Sequence, residues 1–239
     1  MNDSHLPALA HGEIEEVFPD IFFMSGSMET VLLGSDWQFS RNMTMIRENG
    51  ELTLLNAVRL DEEGLAALEN LGQIKHVVRL GTLHDRDAAF YVDKYDATFW
   101  ALPGMPPIEG VEHTRSLSEE QDLPVSYARL FEFKTTKIPE AIFHLNRDGG
   151  ILVACDALQN WLAPDEYFSE DSRIKMEEMG FFTPANVGPV WAQAAEPQAD
   201  DFKRLKDMTF KHALCGHGSP LRDSAHEEYS ATFHRMFNL

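Results

Sequence analysis

Basic residues are scarce in this chain: 20 Lys and Arg stand against 39 Asp and Glu in 239 residues, a formal charge of −19. Holding a phosphate backbone relies on clustered Lys and Arg, so the balance argues against a nucleic-acid partner. It argues against an anionic membrane surface for the same reason. Net acidity also aids solubility in salty surroundings, so by itself it identifies no ligand. Long apolar runs are missing as well. No segment approaches the ~20 apolar residues that span a bilayer, and the opening MNDSHLPALAHGEIEE has neither the basic flank nor the apolar core of a secretory signal. The expected location is cytoplasmic. Cysteine is limited to Cys155 and Cys215, which suits small buried hydrophobes in a reducing compartment. A disulfide between them would require neighbouring strand ends.

What is present is an ordinary globular composition, 44% hydrophobic and 10% aromatic, long enough to bury a substantial core. No repeat and no linker-like stretch interrupts it, so the expectation is one domain over 1–239, built as two related halves near 1–125 and 126–239. Residues 13–17 and 21–26 read as short strands split by Pro19-Asp20. Asn49-Gly50 between the apolar runs 43–47 and 52–56 supplies the positive φ angles of a tight turn, which predicts an antiparallel hairpin. The period then changes: Leu65, Leu68 and Leu71 share a helical face, with acids in the first turn and Gly72 as the stop. A strand over 74–80, a helix from Ala88 to Tyr95 and a strand over 97–101 follow. Residues 103–125 read as a loop. Tyr127 to Phe133 and Glu140 to Leu145 read as paired strands, then 151–155 and 212–215 as strands. Residues 161–188 suggest a lid or packing insertion, with helices near 201–208 and 224–237.

Three of these strands end in titratable side chains, and strand ends are where α/β proteins collect sites, because the loops leaving a rigid sheet are free to carry chemistry. Val77-Val78-Arg79-Leu80-Gly81-Thr82 runs into Leu83-His84-Asp85-Arg86-Asp87, Ile151-Leu152-Val153-Ala154-Cys155 into Asp156, and His212-Ala213-Leu214-Cys215 into Gly216-His217-Gly218. Each has an ordinary structural reading beside the functional one. His84 and His217 suit hydrogen-bonded structural histidines. Asp156 suits the cap of a helix beginning at Ala157. Asp85 and Asp87 suit a solvated loop, and Glu140 a sheet surface. Trp161, close to Asp156, suits either packing or a pocket wall.

On those motifs the chain resembles the metallo-β-lactamase-fold superfamily over nearly its whole length. The resemblance implies an αββα sandwich, two sheets face to face with helices outside, and a metal site at the seam between halves. Cys155-Asp156-Ala157-Leu158 is similar to the family's bridging-Asp turn, and Cys215-Gly216-His217-Gly218 to its last-His turn. The family's His-x-His-x-Asp-His departs further. Laid on 82–87, it keeps His84, replaces the first His by Thr82, the Asp by Arg86 and the final His by Asp87. A register shifted by one keeps the Asp as Asp87 but has Leu83, Asp85 and Ala88 in place of the histidines. The first is preferred because it retains the intervening leucine. The separate mid-chain His would fall near Lys134-Thr135-Thr136-Lys137, with Glu140 the nearest donor and His144 too far along.

The resemblance implies at most His84, Asp87, Asp156 and His217 as metal ligands. A dinuclear zinc site uses about five or six protein ligands to bring a water to a pKa of roughly 7. The residues present suffice for one divalent ion, and two imidazoles with two carboxylates suit Zn, Mn or Fe. Arg86 argues against a second ion, since a guanidinium carries a cation's charge itself and can pair with Asp87 or Asp156. Three functions are compatible: a single-metal hydrolase with Asp156 or Asp85 as proton acceptor; a metal-free binding protein keeping the fold and an apolar pocket; and a mononuclear redox protein. The expected partner is a small-molecule substrate or ligand, with the oligomeric state open.

Overall fold

A computed structural model describes residues 5–239. The chain runs β1 (Glu15–Phe18), β2 (Ile21–Leu32), β3 (Ser35–Glu48), β4 (Glu51–Leu55), α1 (Glu62–Leu71), β5 (Gln73–Arg79), α2 (Ala88–Tyr95), β6 (Thr98–Ala101) and β7 (Thr114–Ser116). It continues with β8 (Ala128–Glu132), β9 (Ala141–Leu145), β10 (Ile151–Val153), β11 (Leu158–Gln159), α3 (Glu170–Glu178), β12 (Asn186–Val187), α4 (Pro189–Ala195), α5 (Ala199–Lys206), β13 (His212–Leu214) and α6 (Ala225–Phe237). β1 to β7 form one sheet in chain order, antiparallel as far as β4 and parallel from β4 to β7. The second sheet has the order β13-β10-β9-β8, with β10 and β13 parallel.

Why the strands are apolar runs rather than alternations follows from the layering: both faces of both sheets are covered. Val78, Leu55 and Ile46 of the large sheet meet Phe143, Ile151, Val153 and Leu214 of the small one in the central core. Their sequence neighbours point the other way. Val77 and Leu54 join Leu68 of α1 and Phe90 and Tyr91 of α2 outside the large sheet. Ile142, Leu152 and Ala213 join Trp191 of α4, Phe202 of α5 and Phe233 of α6 outside the small one. Helix, sheet, sheet and helix are thus four layers holding three apolar interfaces, the expected αββα sandwich. Burying each such Leu, Ile or Phe contributes roughly 1.5–3 kcal/mol. Among the described residues no helix is long and apolar enough to cross a membrane.

The Asn49-Gly50 hairpin has the expected form, with Glu48 opposite Glu51 and φ of 54° and 80° in the turn. A second two-residue hairpin escaped the sequence reading. Leu32 pairs with Ser35 across Leu33-Gly34, whose φ values are 51° and 77°. A leucine seldom accepts positive φ, so the turn carried no signal, and β2 and β3 extend to 12 and 14 residues. Residues 103–125 contain the edge strand β7, and 161–188 contain α3 and β12. The helix expected from Ala157 is instead β11, pairing Leu158 with Val187, so Asp156 caps no helix. The parallel neighbours β10 and β13 do bring Cys155 and Cys215 near one another, but on opposite faces. Cys155 lies in the central core, Cys215 in the core beneath α6, and both thiols are free.

The sheets are also tied by polar groups. Asn42 of β3 donates from its backbone to Gly216 O (2.8 Å) and from Nδ2 to Cys215 O (3.0 Å) and Gly218 O (2.6 Å), while Oδ1 accepts from Ser25 Oγ (2.7 Å). Asn56, beyond β4, donates from Nδ2 to Ala154 O (2.9 Å). Replacing Asn42 by Ala leaves the buried Cys215 carbonyl and the part-buried Gly218 carbonyl without this donor. The expected loss is about 1–3 kcal/mol of stability, read as a lower urea midpoint at unchanged slope. An unaltered midpoint would show that Asn42 does not hold the turn after β13.

Candidate metal centre

Each converging side chain leaves a strand end under local constraint. After β5 the buried Arg79 donates from Nε to Gly81 O (3.2 Å) and from Nη1 to Pro106 O (2.8 Å), which folds the chain back and carries His84 inward. Gly81 is required because a Cβ there would lie 2.7 Å from both Cys155 Sγ and Glu140 Oε2. Gly218, at φ 82°, lets the turn after β13 approach the Asn160 backbone to a distance no side chain tolerates.

There His84 Nε2 stands 3.0 Å from His217 Nε2 and 3.5 Å from Asp156 Oδ2, and His217 Nε2 stands 3.0 Å from Asp156 Oδ1. His217 Nδ1 lies 3.0 Å from Ser40 O. A carbonyl only accepts, so Nδ1 carries the hydrogen, and Nε2 is the ring nitrogen turned toward Asp156 and His84. Two ring nitrogens and a carboxylate oxygen thus meet at hydrogen-bond distance. Either a proton or a metal ion completes such a group. Donors around a tetrahedral metal with bonds of about 2.0–2.2 Å stand roughly 3.3–3.6 Å apart, close to the spacing found. The carbonyl behind His217 is also the kind of outer partner that fixes a ligating imidazole. His84 Nδ1, buried, has no hydrogen-bond partner among the described residues. The donor set therefore fits one divalent ion.

Electrostatics point the same way. Burial would raise the Asp156 carboxyl, but His84 and His217 outweigh it and hold the group below the ordinary carboxylate range. Burial lowers His84, against the pull of Asp156, so the ring favours its neutral, ligating form. Behind them Glu140, Cys155 and Asp156 form a second group of close donor atoms. Glu140, expected on a sheet surface, is wholly buried, and its Oε1 accepts from Ala157 N at 2.5 Å. Burial, then Asp156, pushes its carboxyl well above the usual range, and burial does the same to the Cys155 thiol. In those protonated forms neither is a ligand.

Of the other residues singled out in the sequence, Asp87 does not join the three. Its Oδ1 accepts from Arg86 Nη1 (2.6 Å), and its Oδ2 from the Arg59 backbone N–H (2.7 Å) and from Arg41 Nη2. Four expected donors thus reduce to three that meet. Asp85 is turned to solvent, with its nearest charge Arg79 at 3.8 Å. Arg41 was not anticipated. It is 2% exposed on β3 beside Ser40 and Asn42. The only sequence signal was that polar triplet inside a strand of apolar neighbours.

The three donors form the floor of a cavity of about 120 Å³ walled by Trp37, Phe39, Trp161, Met176, Phe181 and Trp191. Trp161 walls it as the alternative reading supposed. Its ring lies 4.8 Å from that of His217, and its Nε1 donates to Ser40 Oγ (3.1 Å). The far ends of β2 and β3 bring Leu32, Trp37 and Phe39 over the opening, against the small core of Trp161, Met176 and Phe181. The arrangement offers a largely apolar chamber with few polar groups, Thr30, Arg41 and Gln159 besides the three donors.

No family model and no curated protein matches the sequence. Solved structures are similar to it over nearly their full length. VMB-1 has a TM-score of 0.63 at 12% identity, covering 96% of this chain and 99% of that one. DIM-1 metallo-β-lactamase has 0.62 at 16%, with the same coverage. A metallo-β-lactamase from Hirschia baltica has 0.58 at 10%, covering 94% and 98%. Identities so low speak to architecture alone. The chain has the metallo-β-lactamase fold.

Proposed function

We propose that the protein is a single-metal hydrolase whose divalent ion is held by His84, Asp156 and His217. The observation that carries this reading is the convergence of three potential ligand atoms at 3.0, 3.0 and 3.5 Å on the floor of an aromatic chamber. When bound, the ion supplies Lewis acidity toward an acyl oxygen and toward water. The chain's own residues do the rest. Ser40 O fixes the tautomer of His217, Trp161 and Phe39 exclude bulk water, and Asp156 is the carboxylate placed to accept a proton, Asp85 being turned away. Two imidazoles and one carboxylate suit Zn, and the same set suits Fe(II) in redox proteins. Metal analysis therefore tests the class as well as the site: zinc or manganese supports hydrolysis, iron the redox reading, and no metal the binding-protein reading.

The ligand set makes separable predictions. Purified protein should carry one divalent ion per chain. His84→Ala, His217→Ala and Asp156→Ala should each lose most of it, while Asp85→Ala should keep it, by elemental analysis. Equal loss in Asp85→Ala would restore the shifted register of the 82–87 motif. Turnover should be modest, because removing one stabiliser of a developing oxyanion costs about a hundred- to a thousandfold. Slow hydrolysis of activated esters is expected, with β-lactams and thioesters well below ~10 per second. Ordinary rates together with two metals per chain would overturn the single-metal assignment.

The pH dependence has a definite sign. A lowered His84 stays neutral in the folded protein where the unfolded ring, near ~6.5, begins to take up a proton. Its contribution to the stability of metal-free protein is therefore complete above that value and lost as pH falls below it. Asp156, also lowered, adds a further loss at lower pH in the same direction. Metal occupancy should persist at pH 6.5 and fall below it. A metal-free midpoint that rises on acidification from pH 7 to 5 would contradict this.

A further inference from the structure

The chamber above the three donors has a floor and walls of different character. Trp37, Phe39, Trp161, Phe181 and Trp191 wall it, and Leu83 lines it while remaining 38% exposed, which places that side chain at the opening. Its polar groups away from the three donors are Thr30 and Gln159, both uncharged, and Arg41. Arg41 is no spare cation. It is 2% exposed, its Nη2 bonds to Asp87, and the positive charge that Arg41 and Arg86 together leave over that one carboxylate is balanced by the ionised Asp156. A ring seated between such walls gains aromatic contacts on several sides. A charge carried on that ring would leave water for walls without a counter-ion, which is costly. The chain as a whole, at −19, adds to the repulsion of anions.

We propose that the substrate of this chamber is a small ester with one aromatic ring and no charge on that ring, and that a carboxylate on the ring excludes a compound otherwise of the right shape. The size follows from the volume, about 120 Å³, near the ~150 Å³ of a dry cavity that admits benzene. The orientation follows from the floor: His84, Asp156 and His217 take the acyl end, and the ring lies among the tryptophans with its far edge toward Leu83. This deepens the hydrolase reading and rests on it for turnover alone. In that step the oxygen of one water joins the acyl carbon, the ester C–O bond breaks, one proton passes by way of Asp156 to the departing oxygen, and acid and alcohol leave. Selection against charge is a property of the walls and stands without a metal.

The test uses two uncleaved probes of matching shape, 4-nitroacetanilide and 4-acetamidobenzoate, which differ in carrying a nitro group or a carboxylate on the same ring. Calorimetry is run on protein as purified and again in EDTA. The nitro compound is expected to bind at least tenfold more tightly in both conditions, and N-(2-naphthyl)acetamide at least tenfold more weakly than acetanilide. Leu83→Lys, which sets an ammonium at the opening, should narrow the preference for the nitro compound at least threefold. Equal or tighter binding of the carboxylate by the unaltered protein overturns the proposal, as does a preference that Leu83→Lys leaves unchanged. A carboxylate that binds more tightly as purified but not in EDTA sits on the metal, which overturns the proposal and leaves the metal site standing. If the preference holds while neither phenyl acetate nor 4-nitrophenyl acetate is turned over by metal-loaded protein, the hydrolase reading fails and the selection by the walls survives. Should circular dichroism show the protein unfolded in EDTA, the comparison on protein as purified decides alone.

Discussion

The Ser40 carbonyl that accepts from His217 Nδ1 at 3.0 Å is the contact on which the centre depends. It puts a hydrogen on Nδ1 and turns Nε2 of His217 toward Asp156 and His84. That contact exists because β3 runs through the sandwich as a long strand whose middle is polar. Ser40, Arg41 and Asn42 are all buried, and each bonds to a different part of the centre. Ser40 Oγ accepts from Trp161, Arg41 pairs with the loop after β5, and Asn42 holds the turn after β13. Buried polar groups of this kind cost stability unless partnered. The three loops and the strand are therefore correct together or not at all.

The sandwich was legible because its layers leave a direct trace: apolar runs at both-faces-buried strands, a period change at α1, and Asn-Gly at a tight turn. The αββα arrangement itself came from the motif resemblance at 155–158 and 215–218, where turns with little freedom carry Asp156 and His217. What stayed hidden has physical causes. Leu33-Gly34 turns a hairpin with a residue that seldom takes positive φ, so the reach of β2 and β3 over the cavity had no local mark. Gln159 and Asn160 run on beside β12 and the turn at Gly218, so the stretch after Asp156 is extended although its composition suits a helix. Glu140 gave no sign of burial, because only the tertiary fold places it inside the seam, where burial and then Asp156 push its carboxyl well above the usual range.

The motif at 82–87 shows how a ligand position can change its chemistry while its geometry persists. In the preferred register Arg86 and Asp87 stand where an Asp and a His are otherwise found, and here they bond to each other at 2.6 Å. Arg41 closes on the same carboxylate from across the sheet. Cationic charge is thus supplied by side chains fixed in the core, and a second divalent ion placed beside them would meet like charge at short range. Coulomb repulsion in a buried setting is several times stronger than in water. The aromatic walls around the three donors strengthen that repulsion, because they keep the local dielectric low.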